Sequence, residues 1–253
     1  MCGRYELHTN PAAIALMFGL EHPPHIEPRY NIAPMQQVPI VRVNAAGERE
    51  LVQVRWGLVP RWAKDPSIGA RMINARGETA ATKASFKTAY RRHRCLLPAD
   101  GFYEWRQAAG GTKQPVRIGM RDDAPFGLAG LYERWLSPDG EPLDTCTILT
   151  TEANALLRPM HDRMPVIVAA EAFGRWLDPA ETDPYDLVAP FPAERMTFHA
   201  VSRKVNSVRN DDASCIEPLV THEDEQAAEP PPEAPAEIDD EADEDTPVQT
   251  SLF

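Results

Sequence analysis

The alternation of apolar and polar residues predicts a chain built mainly from short strands. Residues 37–43 and 51–58 alternate Val, Ile and Leu with polar residues on either side of a turn at 44–47, which predicts an antiparallel hairpin. Further strand-like runs lie between Gly, Pro and Asp turns at 95–106, 114–120, 126–135, 145–151, 164–170 and 197–205. Helices are predicted at 12–20, after the start signal of Asn10 and Pro11, at 79–92 and at 171–177. The pattern therefore predicts an α+β, mainly β fold in which twisted antiparallel sheets form a barrel-like core.

Charge divides the chain into two parts. The formal net charge is −12, but residues 221–253 hold twelve acidic residues and no Lys or Arg, so the preceding part has 26 acids and 26 bases and is neutral. The acidic, proline-rich composition after 221 is typical of a disordered tether. We therefore predict one domain at 1–220 and a tail at 221–253.

Composition limits the class of protein. A chain of 253 residues with 43% hydrophobic residues can bury a core, and it has neither a signal peptide nor an apolar run of membrane-spanning length. A cytoplasmic protein without a membrane segment is expected. The cysteines are far apart and lack zinc-like spacing, so we expect no disulfide framework, metal or cofactor; they are Cys2, Cys95, Cys146 and Cys215.

The amino terminus carries the first candidate for chemistry. Removal of Met1 before the small Cys2 is expected, and it would place a free α-amine beside the Cys2 thiol. Both groups are partly nucleophilic near neutral pH. The amine could condense with an aldehyde and the thiol could then close a five-membered ring. On residue type alone, however, Cys2 is more simply a small buried apolar residue.

Three internal residues could assist such a nucleophile. Asn74 precedes a basic run at 71–94 in which Glu78 is the single acid, Glu104 is flanked by aromatic residues, and His161 is an imidazole next to Asp162. These types suit hydrogen bonding, general acid or base work and proton transfer. Each could equally be a turn, ion-paired or core residue, so residue types alone leave an undefined hydrolase or transferase site.

Seven blocks in order make the chain similar to a known family. Residues 1–5, 29–34, 56–58, 73–79, 101–105, 161–165 and 201–203 resemble the SRAP family (SOS response-associated peptidase), whose members are abasic-site processing proteins, over roughly residues 2 to 218. The resemblance implies a protein, expected to be monomeric and to act at replication forks, that captures abasic sites in single-stranded DNA as a covalent crosslink.

The resemblance also implies a role for each residue. Cys2 would be the nucleophile, Asn74 would orient its backbone, Glu104 would act as general acid and base, and His161 would position the sugar and move protons. The family resemblance further implies that phosphates are bound by Arg4, Arg76 and Arg163 and that bases stack on Pro34 and Trp62.

The last five residues resemble, separately, the peptide with which bacterial proteins bind the replication sliding clamp. Gln249, Leu252 and Phe253 match that peptide, whereas Thr250 departs from its usual Leu.

Two alternatives to the crosslinker remain open at this point. One is a thiol peptidase that uses Cys2, including one that only processes its own terminus. The other is a non-catalytic module that binds single strands, which is disfavoured because a domain without net charge binds DNA weakly by electrostatic attraction.

Overall fold

The computed structural model of the chain describes residues 2–107 and 109–219. Within these ranges no helix is long and apolar enough to cross a membrane. The predicted tail, with Gln249, Leu252 and Phe253, lies outside the described residues, and binding to the clamp stays a prediction.

Short strands dominate the described part, as the sequence predicts. In chain order they are β1 Tyr5–Leu7, β2 Arg29–Ile32, β3 Gln37–Val43, β4 Arg49–Trp56, β5 Asn74–Arg76, β6 Arg94–Ala99, β7 Gly101–Gln107, β8 Lys113–Met120, β9 Phe126–Leu136, β10 Pro142–Glu152, β11 Arg163–Pro165, β12 Ile167–Val168 and β13 Met196–Ala200. The α-helices are α1 Pro11–Phe18, α2 Gly77–Ala80, α3 Lys87–Arg92 and α4 Phe173–Leu177. Short 3-10 helices lie at Pro66–Arg71, Ala170–Ala172, Tyr185–Leu187, Ala193–Arg195, Arg203–Asn206 and Ala213–Cys215.

Five strands close into a barrel. The ring runs β10, β4, β3, β6, β9 and returns to β10, while β5 and β11 pair with β10 and β12 pairs with β9. A second sheet has the order β13, β8, β7, β1, β2. The predicted mainly β, barrel-like fold is confirmed. Among otherwise antiparallel pairings in the described residues, β10 runs parallel to β4 and to β5, which long connections between distant segments permit.

Local signals fix the elements that the sequence predicts best. The hairpin pairs β3 with β4 from Gln37 opposite Arg55 to Val43 opposite Arg49. Helix α1 begins where Asn10 Oδ1 accepts the Ala12 N–H at 2.8 Å, and it ends at Gly19, whose φ of 66° is a left-handed conformation that glycine adopts without strain.

Two predicted elements are interrupted. The helix expected at 79–92 is divided into α2 and α3, and the Thr82 hydroxyl donates to the Thr79 carbonyl at 3.1 Å between them, a local bond that competes with helix continuation. The strand expected at 95–106 is split at Asp100, whose carboxylate accepts the Thr9 N–H at 2.8 Å. The break sends β6 into the barrel and β7 into the second sheet.

Candidate active site

Cys2 lies at the junction of the barrel and the second sheet, just before β1. It is fully buried and belongs to the main apolar cluster. Asn74 Nδ2 donates a hydrogen bond to the Cys2 carbonyl at 2.8 Å. Two residues that are 72 positions apart in sequence are therefore in direct contact, as the family resemblance implies.

Neighbouring strands hold Asn74 in place. It opens β5 and lies opposite Ile148 of β10. The carbonyl of the preceding Ile73 accepts the Trp56 indole N–H at 2.8 Å and the Ile148 N–H at 3.1 Å. Trp56 is fully buried, so this anchor is shielded from water. Asn74 Oδ1 is buried, and no described residue donates a hydrogen bond to it, which leaves an acceptor for an incoming group.

Glu104 approaches Cys2 from the other sheet. It lies in β7, which pairs with β1, and the Tyr103 N–H donates to the Arg4 carbonyl at 3.0 Å. Glu104 is 5% exposed. Burial, and to a lesser extent the negative charge of Glu104, raise the pKa of the Cys2 thiol to about 12. The Arg4 backbone N–H acts in the opposite direction. The thiol is therefore protonated at neutral pH.

His161 lies in the loop between β10 and β11. The imidazole has two close neighbours with opposite requirements: the Arg163 N–H donates to Nδ1 at 2.9 Å, and Asp162 Oδ1 lies 2.8 Å from the same nitrogen. Nδ1 can accept from Arg163 or, when it carries a proton, donate to Asp162. The side chain is about 30% exposed, so His161 can exchange protons with a bound substrate or with water.

An ion pair links the His161 loop to the Asn74 segment. Arg163 donates to both carboxylate oxygens of Glu78, at 2.6 and 2.8 Å, and to the Thr150 carbonyl at 2.7 Å. The hydrogen bond from Arg163 lowers the pKa of Glu78. Because Glu78 follows β5 and Arg163 opens β11, the pair joins two segments that flank the end of β10.

The arginines predicted to bind phosphate differ in availability. Arg76 is exposed and lines a surface cavity together with Arg163, whose terminal nitrogens are engaged by Glu78. The Arg4 guanidinium turns inward and donates to Asn31 Oδ1 at 2.6 Å and to the Val205 carbonyl at 2.7 Å. Arg4 thus ties β2 to the segment after β13 in this structure.

The apolar residues predicted to stack on bases lie at the surface. Trp62 is 59% exposed and follows Arg61, which pairs with Glu133 at 2.7 Å. Pro34 is half-buried beside the exposed Met35. Both are accessible to a ligand.

The residues that hydrogen-bond to Arg163 could not be predicted from the sequence as its partners. Glu78 stands out in the sequence as the lone acid in a basic run and as a member of the 73–79 block, whereas Thr150 carries no signal of a role at the site. Their roles depend on which strands border β10, which residue types alone do not determine.

Comparison with known proteins gives a consistent match. A family model described as SOS response associated peptidase (SRAP) matches residues 1–208. The abasic site processing protein YoqW of Bacillus subtilis is 43% identical over 223 residues, covering 86% of this chain and 99% of that protein. The abasic site processing protein HMCES of Gallus gallus is 38% identical over 224 residues, covering 76% of this chain and 66% of that protein. A crystal structure of a protein from Bacteroides thetaiotaomicron superposes with a TM-score of 0.76 at 26% identity, covering 87% of this chain and 100% of that one.

Proposed function

This chain belongs to the SOS response associated peptidase (SRAP) family, and from that membership we propose that it captures abasic sites in single-stranded DNA as a covalent crosslink through Cys2. Its relatives YoqW and HMCES are named abasic site processing proteins. The observation that carries the proposal is the hydrogen bond from Asn74 Nδ2 to the Cys2 carbonyl, because it fixes the N-terminal residue beside Glu104.

The reaction proceeds in two balanced steps. Once Met1 is removed, the Cys2 α-amine adds to the aldehyde of the ring-opened sugar and water leaves, which gives an imine. The thiol then adds across the C=N bond: sulfur bonds to the former aldehyde carbon, and the thiol proton ends on nitrogen. The product is a five-membered thiazolidine, and the sum of the steps is the loss of one water.

Proton transfers assign the roles of the two ionisable residues. Glu104 takes the thiol proton as sulfur attacks and returns a proton to nitrogen, since burial raises the pKa of the Cys2 thiol and a protonated thiol needs a base within reach. His161 protonates the leaving hydroxyl through Nε2, because the Arg163 N–H and the Asp162 carboxylate both engage Nδ1.

In the chain that still carries Met1, burial raises the pKa of the Cys2 thiol, and this direction bears on the choice between the two alternatives. A thiol peptidase attacks with a thiolate and therefore needs a lowered cysteine pKa. The aldehyde trap attacks first with the amine and uses the thiol only after the imine has formed, so it tolerates a protonated thiol. We therefore favour the trap. The same imine could also lose the 3′ strand by β-elimination, which would make the protein an abasic-site lyase.

DNA binding uses exposed cationic and apolar side chains. Arg76 offers an exposed cation for a phosphate, and Trp62 and Pro34 offer accessible apolar surfaces on which bases can stack. Binding to unpaired bases would direct the protein to single-stranded DNA at damaged replication forks.

The test uses untagged protein and a single-stranded oligonucleotide with one abasic site. We expect a complex that survives denaturation with the wild type and with Cys215→Ala, a matched control at another buried cysteine. Cys2→Ala, or an extension that leaves the α-amine of Cys2 in a peptide bond, should abolish the complex. A complex that persists with Cys2→Ala would refute the proposal.

A further inference from the structure

A surface cavity of about 440 Å³ lies beside His161 at the carboxyl end of β10. Its wall carries three guanidinium groups and two carboxylates. The lining residues are Arg76, Glu152, Ala153, Arg158, Asp162 and Arg163. Arg158 belongs to the same loop as His161, three residues before it, and neither composition nor the family motifs single it out.

The three arginines are not equally free to bind a ligand. Arg163 is 14% exposed, and its terminal nitrogens donate to Glu78 and to the Thr150 carbonyl. Arg158 is exposed, and among the described residues its side chain donates only to the Ala153 carbonyl, at 3.3 Å. Arg76 is also exposed. Two cations therefore face the cavity with donors to spare, while the third is held by its own carboxylate.

The two carboxylates that line the cavity do not neutralise these cations. The Asp162 side chain is 86% exposed and lies 2.8 Å from His161 Nδ1, and Glu152 is exposed at the end of β10. Exposed carboxylates are screened by water and can turn away from an arriving anion. Arg158 and Arg76 can instead present several N–H donors to tetrahedral phosphate oxygens.

We propose that Arg158 is a phosphate-binding residue, and that it works with Arg76 to hold a phosphodiester of the single strand in this cavity, next to the nucleotide that reacts with Cys2. The inference rests on the proposed function for the identity of the strand. Because Arg158 and His161 share one loop, a phosphate bound here also keeps the sugar close to the imidazole.

The magnitude follows from counterion release. One phosphate contact contributes about 0.7 to the slope of log affinity against log salt for single strands. Without this contact, the affinity of the variant relative to the wild type falls by about 0.7 log units for each tenfold decrease in salt concentration below about 1 M. At 0.1 M salt the variant should therefore bind about fivefold more weakly.

The experiment measures binding without crosslinking. The probe is a single-stranded oligonucleotide with a tetrahydrofuran abasic analogue, which lacks the aldehyde, and fluorescence anisotropy gives affinity over a range of salt concentrations. Arg158→Ala should lower the slope by about 0.7 and weaken binding about fivefold at 0.1 M salt. Arg158→Lys should keep most of the slope. Lys113→Ala, which removes an exposed cation from β8 in the second sheet, should leave it unchanged.

Two results would overturn the inference: a wild-type slope with Arg158→Ala, or an equal fall with Lys113→Ala, which would indicate only the general charge of the protein. Crosslinking of an aldehyde-bearing strand is assayed in parallel. A wild type that binds the analogue but never crosslinks would refute the proposed function and leave the slope of Arg158→Ala to judge the cavity separately.

Discussion

Truncation of Asn74 should slow crosslinking without abolishing DNA binding. The Asn74→Ala variant loses the 2.8 Å hydrogen bond to the Cys2 carbonyl and leaves that carbonyl, in a fully buried residue, without this donor. Loss of one partner of a buried hydrogen bond costs about 1–3 kcal/mol. If the whole cost is expressed as misplacement of the aminothiol, the rate falls about 5-fold to 150-fold. Asn74→Asp should be slower still, because it sets a carboxylate against the carbonyl and adds a negative charge near Glu104.

The assay for Asn74 separates rate from affinity. The rate constant comes from single-turnover crosslinking at saturating abasic DNA, and affinity comes from the tetrahydrofuran analogue. Asn44→Ala, at an exposed turn whose Asn44 Oδ1 accepts the Ala46 N–H, serves as a matched control. Crosslinking by Asn74→Ala at the wild-type rate would refute the positioning role, and a change confined to affinity would show that Asn74 serves DNA rather than Cys2.

Three further outcomes follow from the same structure. Cys2→Ser keeps the α-amine but loses the thiol, so it should give no stable spontaneous complex, yet borohydride should trap its imine on abasic DNA; absence of trapping would contradict amine-first attack. Glu104→Gln removes a charge that raises the Cys2 pKa, so alkylation of Cys2, followed by mass spectrometry, should begin at lower pH, while crosslinking slows. Burial raises the pKa of Glu6 to about 7 despite its ion pair with Arg117. The folded state therefore favours protonated Glu6. This contribution to the free energy of unfolding is fully present below the ordinary pKa near 4.5 and is lost as pH rises through 7. The free energy of unfolding, measured with denaturant, should fall as pH rises across that interval, and Glu6→Gln, which cannot ionise, should flatten this dependence; equal pH profiles for both proteins would contradict it.

Local chemistry accounts for the parts of the fold that the sequence predicts. Asn10 and Pro11 predict the start of α1 because an N-cap and the fixed φ of proline act within one turn. The run at 37–43 predicts β3 because alternating apolar and polar residues indicate a strand with one buried face. In contrast, β5 has three residues, and its parallel partner β10 lies more than seventy positions away. No local pattern encodes such a pairing.

The candidate site divides in the same way. The ordered family motifs predict Cys2, Asn74, Glu104 and His161, and the structure brings Asn74 into contact with Cys2, while the roles of all four stay predictions. The ion pair between Arg163 and Glu78 could not be predicted, because the two residues are 85 positions apart and meet only where β5 and β11 border β10. The inward turn of Arg4 likewise depends on the Val205 carbonyl, which is 201 positions away.

The most direct test of the central claim is the intact mass of the crosslink, followed by identification of the attached residue. Untagged wild-type protein, with Met1 removed, is incubated with abasic single-stranded DNA, and half of the sample is treated with borohydride. We expect a mass equal to protein plus DNA less one water, attachment at Cys2, and no gain of hydrogen on treatment, because a thiazolidine has no C=N bond. Attachment at any other residue, or a complex that takes up two hydrogens as an imine would, contradicts it.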